Sequence, residues 1–282
     1  MIKRKDIYVR DPFILVHDGR YYLYGTKMRA PERSFEVYIS TDLESWEGPQ
    51  TVFAPYPGFW SSLDYWAPEV HEYRGAFYMF ATLRSENRQR GTQIFKADSP
   101  LGPFAPVSDG PVTPREWSCL DGTFYLDENG KPWMVFCHEW IQIKDGTICA
   151  IRLSEDLSCA IEKPIVLFHG SDAKWCKIFD GNAVTDGPFM VRTKSGKLLM
   201  LWSSCCDTGY CTAIARSPFG SISGPWIQDD KPLFSMDGGH GMLFYSLEGK
   251  PYIALHAPNE KPLERPVWLE VTVTEDDIIM NR

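Results

Sequence analysis

Residues 11–26 read DPFILVHDGRYYLYGT, and the same phrase returns four more times along the 282 residues. The further copies are APEVHEYRGAFYMFAT at 67–82, LDGTFYLDENGKPWMVF at 120–136, TDGPFMVRTKSGKLLMLWSS at 185–204 and GGHGMLFYSLEGKPYIALH at 238–256. Each is an opening residue, a short apolar strand, a turn at glycine and a second apolar strand. The turn glycines Gly19, Gly75, Gly130, Gly196 and Gly249 are spaced by 56, 55, 66 and 53 residues. A strand-turn-strand unit recurring about every 50 residues is the pattern of a β-propeller with one blade per copy. A third strand and a turn follow each hairpin, as in FEVYISTDLESWEGP at 35–49 and TQIFKADSPLGPFAP at 92–106, where Asp, Pro and Gly supply the turn chemistry. The expected fold is therefore all-β: a five-bladed β-propeller of four strands per blade, with residues 1–282 spent on one domain.

Composition narrows the function. The formal net charge is -8 and no basic stripe or run appears, which disfavours nucleic acid and anionic membranes as partners. No apolar run approaches the roughly 18 residues of a membrane span. MIKRKDIYVRDP at the N-terminus lacks the apolar core of a signal peptide, so a cytoplasmic, reducing location is expected, although a chain trimmed of its leader would read the same. The 8 cysteines include no C-x-x-C pair, and Cys137 and Cys149 fall inside apolar strands, so free buried thiols are expected rather than a disulfide framework. The 10 tryptophans point to ring-lined clefts. Residues 28–34 (MRAPERS) read as a polar loop, 51–66 as an aromatic linker, and no segment of 12 or more residues is convincingly helical.

Propeller blades direct their first strands at a central channel, so the five opening residues Asp11, Glu69, Asp121, Asp186 and His240 should converge. Carboxylates facing one channel raise one another's pKa, and aromatic walls desolvate them. One carboxylate kept ionised and another kept protonated is the equipment of glycoside hydrolysis. Trp66, Trp117 and Trp140 suit the apolar faces of sugar rings. Counted back from the turn glycine, the five residues stand 8, 6, 9, 10 and 9 positions away, and Glu69 is the odd one, placed at the rim.

With these motifs on the page, the whole chain resembles glycoside hydrolase family 43, five-bladed propeller enzymes acting on arabinofuranosides and xylosides. The resemblance implies that Asp11 in R-D-P-F-I is the catalytic base, that W-A-P-E at 66–69 is the second-blade motif, and that Asp121 in L-D-G-T-F tunes and orients the acid. It places the acid, normally Glu in E-G-P, at T-D-G-P-F, where this chain has Asp186. Aspartate is one methylene shorter, about a bond length of reach, so three readings stand: Asp186 acts as acid, Glu139 in C-H-E-W replaces it, or the propeller binds carbohydrate without hydrolysing it. The resemblance also implies that His240 in G-G-H-G sits at the channel centre, where water is held around a calcium ion. Arg265 in E-R-P could reach substrate or form a surface ion pair.

The resulting expectation is an inverting, exo-acting α-L-arabinofuranosidase on plant polysaccharide side chains or oligosaccharides, with β-D-xylosidase or exo-β-galactosidase activity as alternatives. No cofactor is needed for the chemistry, and a structural calcium near His240 is expected at most. The partner is an arabinose- or xylose-containing glycan, and oligomeric state stays open.

Overall fold

The structure, a computed structural model, describes residues 1–28 and 33–281, so residues 29–32 of the 28–34 loop lie outside the described residues. Five antiparallel sheets form the five blades. Blade I runs over residues 2–53, blade II over 63–106, blade III over 119–169, blade IV over 186–228 and blade V over 239–280. Blades II to V have four strands as expected, whereas blade I has five, because Ile2–Lys3 adds on outside Ser45–Phe53. Trp66, expected in an inter-blade linker, lies within the first strand of blade II, Leu63–Tyr73. Among the described residues helix is confined to one turn at Trp140–Ile143 and two short 3-10 turns.

Each blade starts with the hairpin seen in the repeat. The turn glycines all have positive φ, from 69° to 88°, a conformation that costs glycine nothing and that fits tight hairpin turns. The core is divided rather than central. Four clusters of buried side chains are each shared between adjacent blades, as where Val135 and Ile148 of blade III meet Met200 and Trp202 of blade IV. Burial of this kind, at about 25 cal/mol per Å² of apolar surface, is what holds blade against blade.

The blades close into a ring without exchanging a strand, since each sheet is drawn from one continuous segment. Blades V and I meet through Phe244 and Ala254 packed with Tyr21 and Ile14. Three hydrogen bonds add to this seam: Tyr21 Oη accepts from Leu247 N–H at 2.7 Å, Arg265 Nε donates to Lys5 O at 2.9 Å, and Trp268 Nε1 donates to Leu43 O at 3.1 Å. All 8 cysteines are free; Cys159 is exposed and Cys205 half-buried. No helix among the described residues is long and apolar enough to cross a membrane.

The feature that builds the channel is a β-bulge in the first strand of every blade. Pairing with the second strand slips between Arg10 and Phe13, Trp66 and Glu69, Leu120 and Thr123, Asp186 and Phe189, and Gly239 and Met242. The first bulged residue has positive φ each time: Asp11 53°, Ala67 43°, Asp121 55°, Gly187 49° and His240 58°. Such bulges re-aim side chains and free an N–H from the ladder, and left-handed backbone costs a non-glycine residue about 1–2 kcal/mol. The equivalent positions are therefore not those expected: Ala67 stands where Glu69 was placed, and Gly187 where Asp186 was. Glu69 and Asp186 flank their bulges.

Candidate active site

The five freed N–H groups show how the site is aimed. Four donate to the preceding blade, at the second-strand position facing its bulge: Ala67 N–H to Thr26 Oγ1 at 2.7 Å, Asp121 N–H to Thr82 Oγ1 at 2.9 Å, His240 N–H to Ser203 Oγ at 2.8 Å, and Asp11 N–H to His256 Nδ1 at 3.2 Å. In blade III that position is Cys137, paired opposite Leu120. A thiol is a weak acceptor, and the Gly187 N–H instead donates to the Asp121 carboxylate, Oδ2, at 3.0 Å. One cysteine in an otherwise oxygen- or nitrogen-bearing ring thus leaves the amide that orients Asp121.

Above this ring lies a cavity of about 260 Å³. Asp11, Asp121, Asp186, Glu139 and His240 line it together. Trp66 and Trp140 form part of its wall. Three other predicted residues do not reach it. Glu69 is buried against His71 Nε2 at 3.0 Å, Trp117 stacks on the His138 ring with centroids 4.2 Å apart, and Arg265 covers the Tyr8 ring. Sequence reasoning passed over Arg10, Lys27 and Lys261, which bring positive charge to the cavity. It also passed over Tyr210 and Arg90, which hold Asp186 and Glu139. Arg10 was readable, being the first letter of R-D-P. Tyr210 and Arg90 were not, because each acts across 24 and 49 residues of sequence.

The carboxyl groups live in different fields. Asp11 accepts from Thr26 Oγ1 at 2.7 Å, with His240 Nδ1 at 3.2 Å and Arg10 Nε at 3.3 Å from its other oxygen. Burial would push its pKa up, but His240, Arg10 and His256 hold it well below the usual carboxylate range. Asp186 is pushed up by burial, against the pull of Arg10, His240 and the Tyr210 hydroxyl, which donates to its Oδ2 at 3.0 Å. Asp121 is pushed up to about 7 by burial, opposed by His240 and reinforced by the charges of Asp186 and Asp11. For His240, burial works against the charged form, yet Asp11 and Asp121 raise it to about 10. Burial lowers His256 to about 3, consistent with a neutral ring whose Nδ1 accepts the Asp11 N–H. Glu139 is gripped differently, accepting from Arg90 on both oxygens and from Ser118 Oγ at 2.7 Å. One carboxyl held ionised beside two whose pKa values are raised, all in one cavity, can serve as base and acid toward a bond placed between them.

The calcium expectation finds little to rest on. Among the described residues no group of three or more His, Cys, Asp or Glu side chains is disposed to hold a metal. Calcium takes six to eight oxygen ligands, whereas His240 offers nitrogen, and its Nδ1 faces Asp11. The residues present do not fit direct calcium coordination, and no step below passes through a metal.

With this geometry in hand, similarity to known proteins is informative. The family model described as glycosyl hydrolases family 43 matches residues 6–279. The crystal structure of an endo-arabinase from Bacteroides thetaiotaomicron VPI-5482 superposes with a TM-score of 0.91 at 40% identity, covering 98% of both chains. A thermostable family-43 glycoside hydrolase superposes with a TM-score of 0.87 at 26% identity, covering 100% of this chain and 96% of that one. In sequence, the extracellular endo-α-(1→5)-L-arabinanase 1 of Bacillus subtilis (strain 168) is 22% identical over 262 residues, covering 84% of this chain and 72% of its own length.

Proposed function

The chain belongs to glycosyl hydrolases family 43, and from that premise we propose that it hydrolyses α-L-arabinofuranosidic bonds with inversion, releasing arabinose from the ends of arabinan chains or arabino-oligosaccharides. The observation that carries this reading is the split of carboxyl protonation within one cavity, with Asp11 ionised and Asp186 raised. Asp11 takes a proton from a water, which attacks the anomeric carbon as the glycosidic bond breaks. Asp186 gives its proton to the departing oxygen. Asp121, close to His240 and tied to the Gly187 amide beside Asp186, biases that proton toward Asp186 through its own charge. An inverting pair needs room for the water, with carboxyls roughly 6.5–9.5 Å apart. Glu139, fixed by Arg90 and Ser118, is an acceptor for a sugar hydroxyl rather than a proton donor. Trp66, held under the Arg90 guanidinium at 4.4 Å, and Trp140 cover the ring.

Support for exo action is the cavity size: about 260 Å³ falls below the roughly 300–1,000 Å³ that enclose drug-sized ligands, room for one terminal pentose. The names of the Bacteroides and Bacillus relatives favour a second reading, internal cleavage. Product analysis on linear and branched arabinan separates them. Arabinose as the sole early product supports exo action. A ladder of oligosaccharides with a fast fall in viscosity supports endo action, and no release from any arabinoside overturns both.

A further inference from the structure

Beside the catalytic cavity lies a second depression, of about 470 Å³, lined by Arg84, Arg88 and Arg115 together with Glu86 and Glu116. It is reached from the cavity by one row of side chains. Glu139 lines the cavity and is bound by Arg90; Arg90 NH2 donates to Asp64 Oδ2 at 2.9 Å; and Arg84 Nε donates to the same Asp64 oxygen. Asp64 is thereby committed to two arginines.

Arg88 and Arg115 are different. Among the described residues, neither guanidinium has a hydrogen bond or an ion pair with any acceptor, although Glu86 and Glu116 line the same depression. Arg88 is nonetheless fixed. Its guanidinium lies 5.0 Å from the Trp60 ring centroid, and on its other side it covers Gly110, where an added Cβ would stand 2.1 Å from its NH1. Burial, then the like charge of Arg115, pushes the Arg88 pKa down, so the two cations oppose each other. A protein of net charge -8 that holds two guanidiniums in a concave site, neither in contact with the Glu86 and Glu116 carboxylates that share it, leaves their hydrogen-bonding forks open to an incoming anion. Guanidinium forks match planar carboxylates in two-point geometry. The Tyr56, Phe59 and Trp60 rings continue the same path into a shallow groove suited to sugar faces.

Building on the proposed action on glycan chains, we propose that Arg88 and Arg115 form an accessory subsite that binds the carboxylate of a hexuronic acid residue. The enzyme would then select acidic polysaccharide, with the uronate anchored here while the arabinose end occupies the catalytic cavity.

Binding tests this independently of turnover. Digalacturonate, with neutral galactobiose as control, is titrated calorimetrically into the full chain and into Arg88→Ala and Arg115→Gln. The wild type should bind digalacturonate and not galactobiose, weaken as salt rises, and lose about tenfold in affinity with either substitution, the cost of a charge-assisted hydrogen bond. Arg115 is exposed, so its variant tests the idea even if Arg88→Ala fails to fold. In kinetics, both variants should keep wild-type rates on p-nitrophenyl α-L-arabinofuranoside, which fills only the cavity. On matched arabino-oligosaccharides with and without a uronate, they should lose the preference for the acidic one. Equal binding of both disaccharides, or affinity for digalacturonate unchanged in Arg115→Gln, overturns the subsite. An enzyme inert on every arabinoside but binding digalacturonate through these arginines would overturn the substrate reading and leave the subsite standing.

Discussion

Asp186→Ala removes the group assigned to proton donation and should do so selectively. General acid catalysis contributes about 10²–10⁴-fold, or roughly 3–5 kcal/mol at 1.36 kcal/mol per decade. That sum is due only where the departing oxygen needs a proton. On arabino-oligosaccharides the loss in kcat/KM should reach the upper part of this range, because Asp186 is buried and its hold on a proton is strengthened by that burial, so water replaces it poorly. On a dinitrophenyl arabinofuranoside, whose leaving group departs as a stable anion, the loss should stay within about tenfold. The substitution also removes a charge that raises Asp121, so the remaining activity should fall off at lower pH than in the wild type. Glu139→Ala is the control. Its carboxylate accepts from Arg90 and Ser118, so its loss should weaken binding of both substrates alike and leave Arg90 with Asp64 as its remaining partner. Equal losses on the two substrates for Asp186→Ala, or the selective pattern from Glu139→Ala, would refute the assignment.

Further outcomes follow from the same site. Asp11→Asn should lower turnover by about 10³-fold or more while calorimetric binding of arabinose persists; retained turnover would show that another group is the base. Wild-type kcat/KM should decline as pH rises through about 7, where the Asp121 and Asp186 carboxyls, whose charges oppose each other, give up the proton they hold between them. Cys137→Ser supplies an acceptor for the Gly187 amide and takes from Asp121 a bond that favours its charged form, so that decline should shift to higher pH; an unmoved limb would contradict the bulge account. His240 is raised from 6.5 to about 10, so its contribution to stability is complete below pH 6.5 and lost as pH rises through about 10. Denaturant midpoints of wild type and His240→Gln should therefore converge toward that pH. Gly187→Ala would put a Cβ 2.7 Å from the His240 ring at a φ of 49°, and should cost about 2–4 kcal/mol in unfolding free energy by overpacking and left-handed strain.

The propeller was legible because its signal is local: a turn glycine between two apolar strands is a property of some 16 neighbouring residues, repeated often enough to be counted. The bulges were not, although their trace was present. Asp11, Ala67, Asp121, Gly187 and His240 stand 8, 8, 9, 9 and 9 residues before their turn glycines, a tighter series than the ionisable residues make. Attention to charge led to Glu69 and Asp186 instead. Asp186 still lines the cavity, because in the first four blades the residue preceding the bulge reaches it too, as Arg10, Trp66 and Leu120 do. Glu69 follows its bulge and turns to His71. Arg90, which reaches Glu139 from another blade, and the unpaired Arg88 fall in the stretch LRSENRQRG at 83–91, which by sequence reads as a solvated loop. Nothing in 83–91 alone says which charges are already satisfied.

The ring's seam has a consequence for how the enzyme loses activity. Blades V and I are joined by side chains and not by a common strand, and the contacts that pin Asp11 ionised, His240 at 3.2 Å and His256 at 3.2 Å from its amide, cross that joint. The proposed base is thus tuned across the one joint in the circle that chain connectivity does not enforce. A slight parting there would leave only Arg10 and Thr26 to hold the Asp11 charge and so raise its affinity for protons while every blade stayed folded. Warming or mild denaturant should silence such a molecule before its strands come apart, so that catalysis acts as a gauge of whether the circle is shut.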